Sequence, residues 1–510
     1  MSLNKIFHKK NKYLLILGIL LLCSFFIRCY GITKGDIWAD EATTIYYSQH
    51  SISDTIKWCI EDVHPPLYNI ILNVWMKVFG ISEIAGKSLS LLFGVACVLM
   101  IFLVGKELCN EKVGFYSAIF LTFSTFNIFY SIETRGYSLL CLLTLFSFFF
   151  YIKYLRCTEN KKIGYILGYL ISSSLLLYTH PFSPFIILTQ NLHFIIVKLY
   201  RKRLKDIKNW LVIQFILLLS FLPWIPIFLN QIKTAAMKAI WISKPTLFGL
   251  NQSSVEYTLI RFAGDKLLLV VFLALIIIFL FKIMLQKKTK KQTNLFENAT
   301  LLLLWFVFPI FASCLYSLYF PPIFVMRYVI FSSLAFYILV ALAISNLFKT
   351  KYQVIAVSLI LLYSIFVIAN FNSAFIIKEE WKHVSQDLKG YVKEGDIVVV
   401  DNTIPFIYYY QPDCFALQDL AMNECLTKNH IFSLSPIYFD IIILKKSNLT
   451  FIESFALLYG NEPLLSNSIW LVLDRDPYLD DMVLSYLNKT KEINFTKEYL
   501  NGKLYHFVDR

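Results

Sequence analysis

The sequence predicts a polytopic α-helical membrane protein of about eleven transmembrane helices, N-terminus inside and C-terminus outside, with a small C-terminal α/β extracytoplasmic domain. Three observations carry this. The 510 residues are 57% hydrophobic and only 16% charged, with a mean hydropathy of +0.60, whereas soluble domains carry about 25% charge. Apolar runs of roughly 18–20 residues, each enough to cross the hydrocarbon core, recur along the chain. Lysine and arginine cluster between alternate runs. The ten-residue alternating segments of a membrane barrel are absent, so the spans are helices.

In order, the spans are expected at 13–30, 83–104, 114–130, 136–154, 163–178, 182–199, 210–229, 267–285, 299–318, 328–348 and 352–371. The first follows a basic leader, NKIFHKKNK, as a signal peptide does. No small-residue cleavage site follows, so it reads as a retained helix. Basic clusters at 5–12, 106–112, 153–162, 198–208, 282–291 and 349–351 then fall on one side, which the positive-inside rule makes cytoplasmic. This distribution accounts for the net charge of +14 without nucleic acid. An odd number of spans puts the tail outside.

Two outer loops are long, 31–82 and 230–266, and the first contains short apolar periodic stretches suited to helices lying along the membrane surface. The expected domains are 1–371, transmembrane, and 372–510, a soluble α/β domain. In the tail, EEWKHVSQDLKGYVKEGDIVVVD reads as an amphipathic helix, a Gly-Asp turn and a buried strand at 397–400. SIWLVLDRD and KLYHFVD read as further strands. The ten cysteines show no metal-type spacing, and only Cys414 and Cys425 share a polar region, as a disulfide or as two free thiols.

Sorted by face, the uncommon polar residues gather outside. GDIWADEATTIYYSQH holds Asp40 and Glu41, and EDVHPPLYNIILNVW holds His64. YSIETRGYSLL holds Glu133, Arg135 and Tyr137, LLLYTHPFSPF holds His180, and YFPPIFVMRYVIFSS holds Arg327. Each has an ordinary reading. Adjacent acids in a loop are usually solvated, a histidine at a helix end caps it, and arginines snorkel to headgroups. Glu133 resists such a reading, because an acid at membrane depth is costly. Together the groups suit a lipid-linked phosphate. Arginine grips phosphate in a bidentate way, histidine adds hydrogen bonds, and a nearby carboxylate can take the proton of an attacking hydroxyl. A single displacement inverts the sugar carbon.

The ordered stretches WADEATT, HPPLYNIILNVWMKVFGISEIAGKSLSLLFGV, YSIETRGYSLL and YTHPFSPFIILTQ resemble the membrane glycosyltransferases of the GT-C fold, over about residues 10–375. They are most similar to the family 39 and PMT_2-like set, related to protein O-mannosyltransferases and the aminoarabinose transferase of lipid A. The resemblance implies a GT-C catalytic domain over 1–371, with 31–82 as its outer catalytic loop. It also implies a hexosyl- or pentosyltransferase in the inner or plasma membrane. Such an enzyme takes its sugar from a polyprenyl phosphate and works on the extracytoplasmic face. The acceptor would be a cell-surface glycan, lipid or protein.

By the same resemblance Asp40 is the general base and Glu41 its support, while His64 matches an HPPLY-type element near the donor. Glu133 and Arg135 match a second outer motif, and Arg327 the basic residue opening a late span. With Tyr137 and His180 these form the expected donor-phosphate site. Asp40, Glu41 and His64 are of metal-ligand type, but relatives in this group work through arginine and histidine, so no metal or other cofactor is expected. The alternatives are a transporter or flippase for lipid-linked saccharides, and a polysaccharide polymerase or ligase with a diphosphate-linked donor. A flippase would line its route with polar residues on both faces; here they concentrate on one.

The topology has a direct test. A reporter active only outside the cytoplasm, fused after Arg510, should be active, and a cytoplasmic signal would overturn the sorting of residues by face.

Overall fold

The structure, a computed structural model, describes residues 3–157, 161–202, 205–238, 242–249, 251–285, 289–370, 379–434, 466, 468–473, 483–499 and 502–509. The chain forms two compact units. One comprises Met1–Thr33 and Ser51–Phe371, and the other Lys34–His50 and Asn372–Arg510. The expected boundary after residue 371 therefore differs in one respect: Lys34–His50 groups with the tail.

In the first unit, helices occupy every position where a span was expected. Among the described residues, seven are long and apolar enough to cross a membrane, or eight if Glu111–Thr122 and Thr125–Ser131 count as one bent span. The helices Lys162–Leu177, Ser183–Tyr200 and Ser332–Leu347 fall outside that set. The last is 16 residues long, and from Ser332 through Ile344 it is buried on all sides, so its apolar residues serve as bundle core rather than lipid-facing surface. In the loop before the second span, the Leu67–Phe79 helix leaves Val74, Val78 and Phe79 exposed, a face suited to the membrane boundary.

Caps set the helix ends. Ser82 accepts from the Ala85 amide at 3.2 Å, and Asn110 from the Val113 amide at 3.1 Å. The 65° bend between Glu111–Thr122 and Thr125–Ser131 interrupts backbone pairing inside an apolar bundle. The protein supplies the missing partners there. Ser124 Oγ accepts from the Asn127 amide at 3.2 Å and bonds the Tyr337 hydroxyl at 2.7 Å, and the Asn127 side chain donates to Ser333 Oγ at 3.1 Å.

The bent helix ends at Ser131, where a buried arginine of the first span holds it. Arg28 donates from Nε to Ser131 Oγ at 2.8 Å and from Nη1 to Ser24 Oγ at 2.6 Å. Gly94 makes room for this contact: a Cβ there would lie 3.0 Å from Arg28 Nε.

In the second unit a five-stranded sheet has the order β2-β1-β3-β5-β4, with β1 Ile397–Val400, β2 Ile431–Ser433, β3 Ser468–Leu473, β4 Lys491–Tyr499 and β5 Gly502–Asp509. β1 lies parallel to β2 and β3, and β5 antiparallel to β3 and β4. β1 is buried throughout, as a strand between two parallel neighbours should be. Tyr505 and Phe507 of β5 pack with Ile469 and Leu471 of β3 in the core. The amphipathic helix Trp381–Tyr391 buries Trp381, Val384 and Leu388, and its Asp387 pairs with Lys497 at 2.5 Å and accepts from the Tyr499 hydroxyl at 2.6 Å.

The helix Ala39–Gln49 belongs to this unit because its apolar face needs cover. It buries Ala42, Ile45 and Tyr46, and Tyr46 meets Phe415 edge-on at 5.7 Å. Hydrogen bonds fasten both ends: Ile37 N–H to the Tyr409 hydroxyl at 2.7 Å, Ala39 N–H to Glu379 at 3.0 Å, and Gln49 Nε2 to the Phe415 carbonyl at 2.7 Å.

Of the two alternatives for Cys414 and Cys425, the structure has the disulfide, across a separation of 11 residues. Closing such a loop contributes about 3 kcal/mol by chain entropy. Peptide mapping without reduction should recover the two cysteines cross-linked, and Cys414→Ser should lower the melting temperature of the full chain in non-reducing buffer. Free thiols at both positions would contradict this.

Candidate active site

The first unit brings His64, Glu133, Arg135, Tyr137, His180 and Arg327 to one end of its helices. Each sits where a helix stops. His64 precedes Pro65-Pro66, whose fixed φ and missing amides suit the start of the Leu67–Phe79 helix. The Leu67 amide donates to the Tyr178 carbonyl at 3.0 Å, docking this turn onto the end of the Lys162–Leu177 helix. From the other side, Gln231 Nε2 donates to the carbonyls of Cys59 at 2.7 Å and His64 at 3.3 Å.

Glu133 and Arg135 occupy the turn between Ser131 and the Tyr137–Arg156 helix, with the Arg135 amide donating to the Glu133 carbonyl at 2.8 Å. The Arg135 carbonyl accepts from Ser90 Oγ at 3.1 Å, and Ser90 bonds the Tyr68 hydroxyl at 2.7 Å. A side chain at Gly136 would press on Tyr68, with its Cβ 3.3 Å from that of Tyr68. Glycine there allows the close approach.

The side chains form a linked set. Arg135 Nη2 donates to His64 Nε2 at 3.3 Å, which leaves the ring proton on Nδ1, facing Asp62 Oδ2 at 3.3 Å. The His64 ring lies 5.9 Å from that of His180, and His180 lies 5.9 Å from Tyr137 and 5.5 Å from Tyr328. Glu133, Arg327, Tyr137 and Arg261 all lie within electrostatic reach of the Tyr130 hydroxyl. Glu133 and Tyr137 are buried, and Arg135 and Arg327 half-buried.

His180, in the turn before the Ser183–Tyr200 helix, is the most telling member. Its Nδ1 accepts from the Phe182 amide at 3.1 Å, so the neutral ring carries its proton on Nε2. That Nε2 is buried with no hydrogen-bond partner among the described residues. Burial first, then the charges of His64, Arg135 and Arg327, holds the imidazole well below its ordinary pKa of 6.5. A buried donor left open beside two arginines is arranged for an acceptor that the chain does not itself supply.

Asp40 and Glu41 lie in the second unit, in the first turn of the Ala39–Gln49 helix. Glu41 is 2% exposed, whereas Asp40 is partly open to solvent. Among the described residues no three His, Cys, Asp or Glu side chains gather closely enough to hold a metal ion.

Some partners escaped the sequence reading. Asp62 had a local signal, an acid two residues before a histidine at a diproline turn. Arg28 had another, a lone cation in an otherwise apolar run. Tyr328 and Gln231 had none, because only the fold brings them near His180 and His64.

Residues 63–227 match the model of a family described as dolichyl-phosphate-mannose-protein mannosyltransferase, PMT_2. No curated protein sequence matches the chain. Among solved structures, ArnT from Cupriavidus metallidurans in the apo state matches with a TM-score of 0.60 at 12% identity, over 98% of each chain. The same protein bound to undecaprenyl phosphate matches with a TM-score of 0.60 at 11% identity, over 97% of this chain and 98% of that one. Both are GT-C proteins. The chain has the GT-C fold, and its residues 63–227 resemble PMT_2. Another GT-C protein, the archaeal oligosaccharyltransferase AglB from Archaeoglobus fulgidus, in complex with an inhibitory peptide and a dolichol-phosphate, matches with a TM-score of 0.56 at 11% identity. That match covers 98% of this chain and 74% of AglB. The PMT_2 region contains His64, Glu133, Arg135, Tyr137 and His180, while Asp40 and Arg327 lie outside it.

The state of His180 links stability to pH. Below about 6.5 the unfolded chain takes up a proton that folded His180 refuses, so acidification destabilises the fold. The melting temperature should fall between pH 7 and pH 5, and by less in His180→Gln. Equal falls in the two proteins would contradict a neutral, buried imidazole.

Proposed function

We propose that the chain is an integral-membrane glycosyltransferase that moves a sugar from a polyprenyl-phosphate donor to an extracytoplasmic hydroxyl, inverting the anomeric carbon. The observation that carries the reading is the open Nε2–H of His180 beside Arg135 and Arg327. Donors gathered at one buried position suit the phosphate of a lipid-linked sugar. Undecaprenyl phosphate and dolichol-phosphate are bound in structures of ArnT and AglB, which supports the same ligand class here.

In this reading the acceptor oxygen attacks the anomeric carbon from the face opposite the phosphate. The carbon–oxygen bond to phosphate breaks, and the leaving phosphate keeps the electron pair. Arg135, Arg327 and His180 Nε2–H stabilise the charge that develops on it. His64, held in one tautomer by Asp62, fixes the Arg135 guanidinium. Glu133 offsets the surplus of positive charge nearby. The acceptor proton passes to Asp40, which of the two adjacent acids is the one open to solvent. Buried Glu41 supports the turn that carries it. No step requires a metal ion.

The disulfide between Cys414 and Cys425 suits an oxidising compartment, in line with a tail outside the cytoplasm and an extracytoplasmic site in the cell membrane. The nature of the sugar, and whether the acceptor is a glycan, a lipid or a protein, is a question for mass analysis of surface glycans with and without the gene.

Two variants separate the roles. With purified protein and a radiolabelled polyprenyl-phosphate sugar, Asp40→Asn should lose transfer by about 10²–10⁴-fold, the usual loss for a general base, while binding of the donor persists. Arg135→Ala should raise the donor KM by about 10–100-fold, the usual worth of a hydrogen bond to a charged group. Wild-type turnover by Asp40→Asn would sink the assignment of the base, and an unchanged KM in Arg135→Ala would sink that of the phosphate site.

A further inference from the structure

A second cavity in the membrane-embedded unit, of about 840 Å³, opens at the other end of the same helices. Tyr137 begins the 20-residue Tyr137–Arg156 helix, just after the Arg135 turn, and Arg156 at its far end lines this cavity, about 30 Å away. The Ser183–Tyr200 helix runs likewise from the turn of His180 to a cavity-lining end at Lys198.

Four cations line the cavity, Arg156, Lys198, Arg201 and Lys282, against one carboxylate, Glu297. Two of them are matched. Arg201 forks onto Glu297 at 2.5 and 2.7 Å, and Lys198 pairs with Asp206 at 2.5 Å. The other two hydrogen-bond only to neutral acceptors among the described residues, with Glu107 and Glu297 in electrostatic reach of Arg156. Arg156 donates to Asn298 Oδ1 at 2.8 Å and to the carbonyls of Leu108 and Glu107, and Lys282 donates to the Asn346 carbonyl at 2.7 Å. Thr289 and Gln292, the capping box that opens the 30-residue Lys290–Tyr319 helix, also line the space, so the positive end of that helix dipole adds to the field. Apolar side chains also line the space, with Leu155, Ile283 and Leu295 partly open to it.

The orientation of a membrane protein asks for cations near one set of headgroups. It does not ask for a hollow between helices that joins such cations to apolar side chains. We propose that this cavity binds the phosphate-bearing headgroup of an anionic phospholipid. Arg156 and Lys282 contact the phosphate, and Leu155, Ile283 and Leu295 take the first carbons of the acyl chains. Basic pockets between transmembrane helices are suited to such headgroups, and the volume is far larger than a free phosphate ion fills. The site stands whether or not the chain transfers a sugar.

Native mass spectrometry of the full-length protein in neutral detergent, titrated with phosphatidylglycerol or phosphatidylcholine, tests this. Phosphatidylglycerol should be retained and phosphatidylcholine not. Arg156→Gln and Lys282→Gln should each weaken retention about fivefold, the usual worth of one basic residue near an anionic lipid surface. Lys282→Arg should restore it, and Lys349→Gln, at an exposed cation outside the cavity, should change nothing. Where Arg156→Gln is not monodisperse, the Lys282→Gln and Lys282→Arg pair decides, since Lys282 is exposed and holds only a carbonyl. Equal retention of the two lipids, or retention undiminished by loss of either charge, overturns the proposal. Displacement of the lipid by millimolar inorganic phosphate overturns it too, and assigns the site to a free anion.

Discussion

Inside an apolar bundle, every polar group that leaves regular helix must find its partner within the protein. That constraint explains where this chain can afford a site. The bend at Ser124 is tolerated because Ser124, Asn127, Ser333 and Tyr337 close a network over it. The end of the bent helix is tolerated because Arg28 reaches Ser131. The Glu133–Arg135 turn then leaves the helix at a fixed point, and Ser90 and Tyr68 hold its carbonyl. Against that background, the Nε2 of His180 is one of several buried polar atoms with no hydrogen-bond partner among the described residues, and it lies beside Arg135 and Arg327.

The same constraint accounts for the pairing of two histidines with different tasks. His64 is held between Asp62 and Arg135, so both its ring nitrogens face protein groups. His180 is held on one side only, by the Phe182 amide, and its other nitrogen faces the cluster as a donor. Protonating His180 would add a positive charge beside His64, Arg135 and Arg327, in a place water does not reach. The field that would attract a phosphate therefore also keeps this imidazole neutral.

How much of this was legible in the sequence follows from the range of each interaction. The HPP and ETRG turns were legible because a diproline and a glycine punctuate apolar runs. The sign of charge at each helix end then grouped His64, Glu133, Arg135, His180 and Arg327, which the fold brings to one end of the first unit. Asp62 sat in a quoted stretch without a role, because the tie to His64 depends on side-chain geometry that spacing alone does not fix. Burial of the Ser332–Leu347 helix on all sides was not legible either, since a central helix and a lipid-facing one are equally apolar. In the tail, local pattern marked strands at β1, β3 and β5, but the order β2-β1-β3-β5-β4 arises from crossovers that no local pattern encodes.

The acidic pair shows what folding adds to a motif. In sequence Asp40 and Glu41 are equivalent neighbours after a membrane-length run. In the folded chain their helix rests on the tail, through Tyr46 on Phe415 and through backbone bonds to Glu379 and Tyr409. That packing buries Glu41 and leaves Asp40 partly in solvent. A general base must reach an incoming hydroxyl, so burial alone separates the two roles. The groups arranged for the phosphate, by contrast, are fixed by contacts within the first unit, from Arg28 to Gln231. On the proposed reading, anion binding and proton removal rest on different sets of supporting residues, and the tail holds the helix that carries the proposed base.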